Sequence, residues 1–161
     1  MGHDYDAHVE VIRPILALIH VGSALMYVTG YISTKTLSAL AAGESDSTRR
    51  RVILGLGDKF DFRYQILGGT TVALSGLPLA VANGYDLTQR WIILAVIINA
   101  TLIFIGAGLW RRRSIAVREA LDAGDDARVV TLLTELRTRL LRWIELALLV
   151  TIIALMVLRP A

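Results

Sequence analysis

The apolar positions of this chain fall into long uninterrupted runs. Between Arg13 and Lys35 lie 21 residues with no Asp, Glu, Lys or Arg, between Arg63 and Asp86 there are 22, and between Arg90 and Arg111 there are 20. A hydrocarbon core about 30 Å thick is crossed by roughly 20 helical residues. Each run therefore predicts a membrane-spanning helix, over 14–34, 64–85 and 91–110. The last run is shorter, with 13 uncharged residues between Glu145 and Arg159. Extended back to Leu140 it reaches 19 residues, 140–158, and takes in Arg142 and Glu145 near one end, where a long side chain can snorkel to the headgroups. The expected fold is all-α: a polytopic four-transmembrane-helix bundle, one domain over 1–161.

Helical periodicity continues beyond the spans. Leu37, Leu40 and Ala41 carry the first helix on to Gly43, and Ser45, Asp46 or Ser47 can cap a new helix leading into the second span. Ile115, Val117 and Leu121 extend the third helix to Gly124, and Asp125 or Asp126 caps the next. There Val129, Leu132, Leu133, Leu136 and Leu140 keep an i, i+3, i+4 spacing straight into the fourth span. Long helices should thus protrude as an antiparallel hairpin, either packed on itself or offered to a partner.

Composition agrees with the pattern. Hydrophobic residues make up 55%, charged residues 19%, and the mean hydropathy is +0.58, which excludes a disordered chain. The absence of cysteine excludes disulfides, iron–sulfur clusters, covalently attached haem, thiol catalysis and thiolate zinc sites. The balance of 17 Lys+Arg to 14 Asp+Glu gives +3 and a pI near 9.6, which raises the question of nucleic acid. Distribution answers it. Six basic residues lie in the first connection (Lys35–Arg63) and eight in the third (Arg111–Arg142), against Arg13, Arg90 and Arg159 elsewhere. This positive-inside bias places both long connections in the cytoplasm and both termini outside. The clusters flank spans and lack interleaved aromatics, so the basic pI reflects topology and not a nucleic-acid partner. Asp4, Asp6 and Glu10 before the first span are the opposite of a secretion signal's basic leader, and that span is read as retained.

Few groups inside the spans can carry chemistry. His20 is the deepest ionisable group of the first span, and such groups are functional candidates or hydrogen-bonded packing residues. Asn99 stands near the middle of the third span, able to bond across to a neighbour. Glu145 is read as an interfacial ion pair with Arg142, Arg63 or Lys59, or as a proton-relay carboxylate. Gly22, Gly30, Gly68, Gly69, Gly76, Gly106 and Gly108 allow close helix approach or a slot for a flat ligand. Pro78 frees a carbonyl and should kink the second span. His3 and His8 belong to a solvated tail or, with neighbouring carboxylates, to a surface metal site. No phosphate-binding or dinucleotide glycine motif and no serine–histidine–acid set can be assembled.

The stretch from Leu16 through His20 to Gly30 resembles the first helix of a bacterial family of uncharacterised predicted integral membrane proteins. Leu74-Ser75-Gly76-Leu77, Ala123-Gly124-Asp125 and the ending Leu155-Met156-Val157-Leu158-Arg159-Pro160 fit it as well. That family is similar to copper-resistance-D-like domains and to haem-containing protoporphyrinogen oxidases. The resemblance implies a multi-pass protein of the bacterial inner membrane in which His20 matches the haem-ligating position. The oxidases also carry a lysine in the third helix, and Trp91–Trp110 has none. Copper relays need several Met or His ligands, which the spans lack. Two readings follow. One is a haem-b-binding redox or tetrapyrrole-handling protein, with His20 as ligand, Met156 or the His20 of another subunit opposite, and Asn99 as a polar neighbour. The other is a non-catalytic assembly or transporter subunit that docks a membrane-protein partner through its hairpin.

Overall fold

A computed structural model describes residues 3–159, with side chains from residue 10 onward. The side chains of His3 and His8 lie outside the described residues. Every described element is helical. Helix α1 (His3–Gly43) is followed by α2 (Ser47–Phe60), which passes through a π-helical turn, Asp61–Ile66, into α3 (Leu67–Ala82). Helix α4 (Arg90–Phe104) passes through a second π turn, Ile105–Trp110, into α5 (Arg111–Asp122). Helices α6 (Asp126–Thr134) and α7 (Leu136–Leu158) complete the chain. Four continuous helices, Glu10–Gly43, Ser47–Ala82, Arg90–Asp122 and Leu136–Leu158, are long and apolar enough to cross a membrane. Helix α3 runs unbroken through Pro78.

The outer surface matches that reading. Leu18, Leu74 and Val157 are each more than 70% exposed, a surface that would drive association in water and costs nothing in lipid. Aromatic side chains mark both ends. Tyr85 meets Trp91 edge-on at 5.4 Å near the termini, and Phe60 stacks on Tyr64 at 5.3 Å near the connections. We refer to these as the terminal end and the basic end.

Inside the bundle α1 and α3 share the closest seam. A Cβ on Gly68 would lie 2.7 Å from the Tyr27 amide nitrogen, and one on Gly30 would meet the backbone and Cβ of Tyr64 at 2.9 Å. Gly30, Gly68 and Gly69 therefore serve close helix approach, whereas Gly22, Gly106 and Gly108 border open space. The slot expected around Gly22, Gly30 and Gly76 is closed at the latter two. Tyr31 of α1, Ala95 of α4, and Leu149 and Ile152 of α7 form a second apolar cluster, with Met156 packed against it.

Beyond the spans the two connections merge into one helical extension. Ala41, Val117, Ala120, Val129 and Leu133 form its core, with Ile53 and Leu54 of α2 beside them. Asp46 caps α2 by accepting from the Thr48 and Arg49 amides, and Asp125 caps α6 by accepting from Arg128. Gly124 takes the left-handed φ of +69° that the tight α5–α6 turn requires. Buried Arg50 staples the hairpins: it donates to the carbonyls of Ala41 and Glu44 and pairs with Asp126 at 2.5 Å.

The expected straight run from α6 into the fourth span is corrected. Glu135 adopts an extended conformation (φ −56°, ψ 154°) and breaks the helix. Two of the carbonyls freed there are taken up, Leu132 by the Thr138 hydroxyl at 3.0 Å and Leu133 by Arg142 at 3.4 Å, and Arg113 holds Glu135 at 2.6 Å. Val129 and Leu133 stay in the extension's core, while Leu136 and Leu140 turn outward.

Candidate functional site

His20 lies on the face of α1 that packs against α3, and it is 9% exposed. Gly76 makes room for it: a Cβ there would stand 3.1 Å from the imidazole Cε1. The ring Nδ1 lies 3.1 Å from the Ser75 hydroxyl. That hydroxyl also stands 2.6 Å from the Thr71 carbonyl. The Ser75 oxygen and the imidazole Nδ1 thus share one hydrogen bond, whose direction follows the tautomer of His20. One turn toward the terminal end, Leu16 and Ile12 of α1 face Leu77, Pro78 and Val81 of α3 across an apolar groove of about 610 Å³.

Ser75, and not Asn99, is thus the polar neighbour of the His20 ring. Asn99 is half-buried, and no hydrogen bond from its amide is formed among the described residues. Met156 packs on the Tyr31–Ala95–Leu149–Ile152 cluster, where α1 meets α4 and α7, and not in the α1–α3 seam that holds His20. Among the described residues no three His, Asp or Glu side chains converge as a metal-binding group.

A second polar site emerges at the basic end. Glu145, 2% exposed, lies 3.0 Å from Lys35 Nζ. Its partner is not Arg142, Arg63 or Lys59. Arg142 reaches back to the α6 carbonyl of Leu133, and its own carbonyl accepts from Tyr31 Oη at 2.9 Å. Lys35 Nζ also stands 3.5 Å from the centre of the Trp110 ring, a close cation–π contact. Trp110 ends the second π turn, and Asp61 begins the first. A π turn inserts an extra residue and re-aims the side chains beyond it, and here both occur at the depth of this pair. The signal available in the sequence was register: Lys35 ends the first charge-free run, and Glu145 lies just inside the start of the last.

The fold and its apolar exterior define an all-helical, multi-pass integral membrane protein. The chain belongs to the family described as predicted integral membrane protein (DUF2269), which matches residues 14–160. Nothing among curated proteins or solved structures matches it.

Proposed function

We propose that this protein binds haem b in the bacterial cytoplasmic membrane, with His20 as an axial ligand, and works in electron transfer or tetrapyrrole handling. The observation that carries the reading is the contact of the buried His20 Nδ1 with the Ser75 hydroxyl at 3.1 Å. In the tautomer where Nδ1 donates, the other nitrogen is presented as a ligand of defined orientation, the arrangement metal-bound histidines use. The groove beside Leu16 and Leu77 offers apolar walls that suit a macrocycle. The resemblance to haem-containing oxidases points the same way. Bound haem would supply one-electron chemistry; the chain's part is to hold and orient it through His20 and Ser75. A second ligand would come from the His20 of a second copy in a homo-oligomer, because Met156 packs on the cluster where α1 meets α4 and α7, away from His20. The basic end faces the cytoplasm, following the excess of Lys and Arg in the two long connections.

The test is an absorption spectrum. Protein purified from haem-replete cells should carry a Soret band, and His20→Ala should abolish it while the helical circular dichroism of the detergent-solubilised protein is kept. Wild-type protein that carries no haem and takes up none on titration ends this reading, and His20 is then a packing residue bonded to Ser75.

A further inference from the structure

The arginines of this chain differ in what they touch. In the extension Arg50, Arg51 and Arg118 are paired, with Asp126, Asp122 and Asp58. Arg111, Arg112, Arg137 and Arg139 are exposed and form no ion pair among the described residues. Arg63 and Arg128 too are exposed with no ion pair among the described residues. Glu135, the acidic group nearest in sequence to Arg137 and Arg139, is taken by Arg113. The break at Glu135 sets the company they keep. It turns Leu136 (67% exposed), Leu140 and Trp143 (67% exposed) outward on the first turns of α7, interleaved with Arg137 and Arg139.

Such a surface suits neither water nor hydrocarbon. Unpaired guanidiniums beside outward leucines and an interfacial tryptophan match a layer where phosphate meets acyl chain. We propose that this face of α7 is a docking surface for the headgroup of an anionic phospholipid. Guanidinium forks bind the phosphate oxygens, Leu136 and Leu140 lie along the acyl chains, and Trp143 sits at the interface between them. The occupant is lipid and not a protein helix, because the charge is unbalanced and the apolar residues lie where the chain enters the membrane. This inference is independent of haem.

The experiment uses the full chain in a neutral detergent, titrated with a fluorescent short-chain phosphatidylglycerol and separately with the matching phosphatidylcholine. The anionic lipid should bind roughly tenfold or more tightly, with the preference falling as salt is raised. Arg137→Gln with Arg139→Gln should remove most of it, while Arg49→Gln, exposed on α2, should leave it intact. Equal affinity of the wild-type protein for the two lipids overturns the proposal whatever the variants do. So does a preference that survives the double substitution, and so does displacement by inorganic phosphate at matching concentration, which assigns the arginines to free phosphate.

Discussion

At the basic end the helices are tied together by charge. Lys35 joins Glu145, Arg113 joins Glu135, and Arg50 fastens one hairpin to the other through Asp126 and two carbonyls. At the terminal end α1 and α3 part around an apolar groove, and Arg159 against Tyr85 ties α7 to the α3–α4 turn. The terminal end sits on the glycine-lined α1–α3 seam, whereas the ties of the basic end join α1 to α7, α5 to Glu135 and α2 to α6. The contrast separates a polar clamp from an apolar groove: buried ion pairs tie the helices at one end, and at the other α1 and α3 meet through apolar side chains alone.

The sharpest way to break this contrast is to remove one half of the buried pair. Glu145→Gln leaves the Lys35 ammonium, 15% exposed, without its counter-charge, and Lys35→Met does the same to the carboxylate. Losing one partner of a buried pair costs about 3–5 kcal/mol. Each variant should therefore melt well below wild type in the same detergent, and the double variant should recover part of the loss. A penalty below about 1 kcal/mol, the scale of an exposed pair, would mean the basic end is no clamp.

A smaller effect tests the glycine seam between α1 and α3. Gly68→Ala puts a methyl 2.7 Å from backbone nitrogen of Tyr27, and backbone cannot yield as a side-chain tip can. Overpacking of this kind costs about 1–3 kcal/mol. Gly22→Ala is the control: nothing lies within 4 Å of its Cβ, so it should be neutral or slightly stabilising through helix propensity. Equal melting of the two variants would show that the helices are not held at glycine distance.

These tests fall on features of unequal legibility in the sequence. The spans were legible because lack of charge over about 20 residues is a one-dimensional signal. The caps at Asp46 and Asp125 were legible because capping is local. The Glu135 break was not. Nothing at Thr134–Leu136 is a glycine or proline, and the break is upheld by Arg113, Thr138 and Arg142 from outside the local window. Ser75 stood only as part of the segment Leu74-Ser75-Gly76-Leu77; its pairing with His20 spans 55 positions. The run of α1 past Lys35 to Gly43 was legible, but the partner of Lys35 was not: its pairing with Glu145 joins the first helix to the last. In each case the missing information was which helices are neighbours.

The smallest expected effect concerns the turn that closes the terminal end. Asp86, fully exposed between α3 and α4, accepts from the Thr88 amide at 2.9 Å and from its hydroxyl at 2.8 Å, and these donors hold its carboxyl below the ordinary value of 3.8. A carboxylate whose folded pKa is depressed adds stability that is complete above the unfolded value and is lost as pH falls through the folded one. Wild type should therefore hold a small, constant advantage in melting temperature over Asp86→Asn at neutral pH. The advantage should fade as pH drops through and below 3.8, while ion pairs of the basic end dominate the remaining acid response in both proteins. Melting the two proteins side by side across that range isolates the turn. An Asp86→Asn deficit that persists unchanged in acid would mean that side-chain shape, and not carboxylate charge, orders the turn at the mouth of the groove.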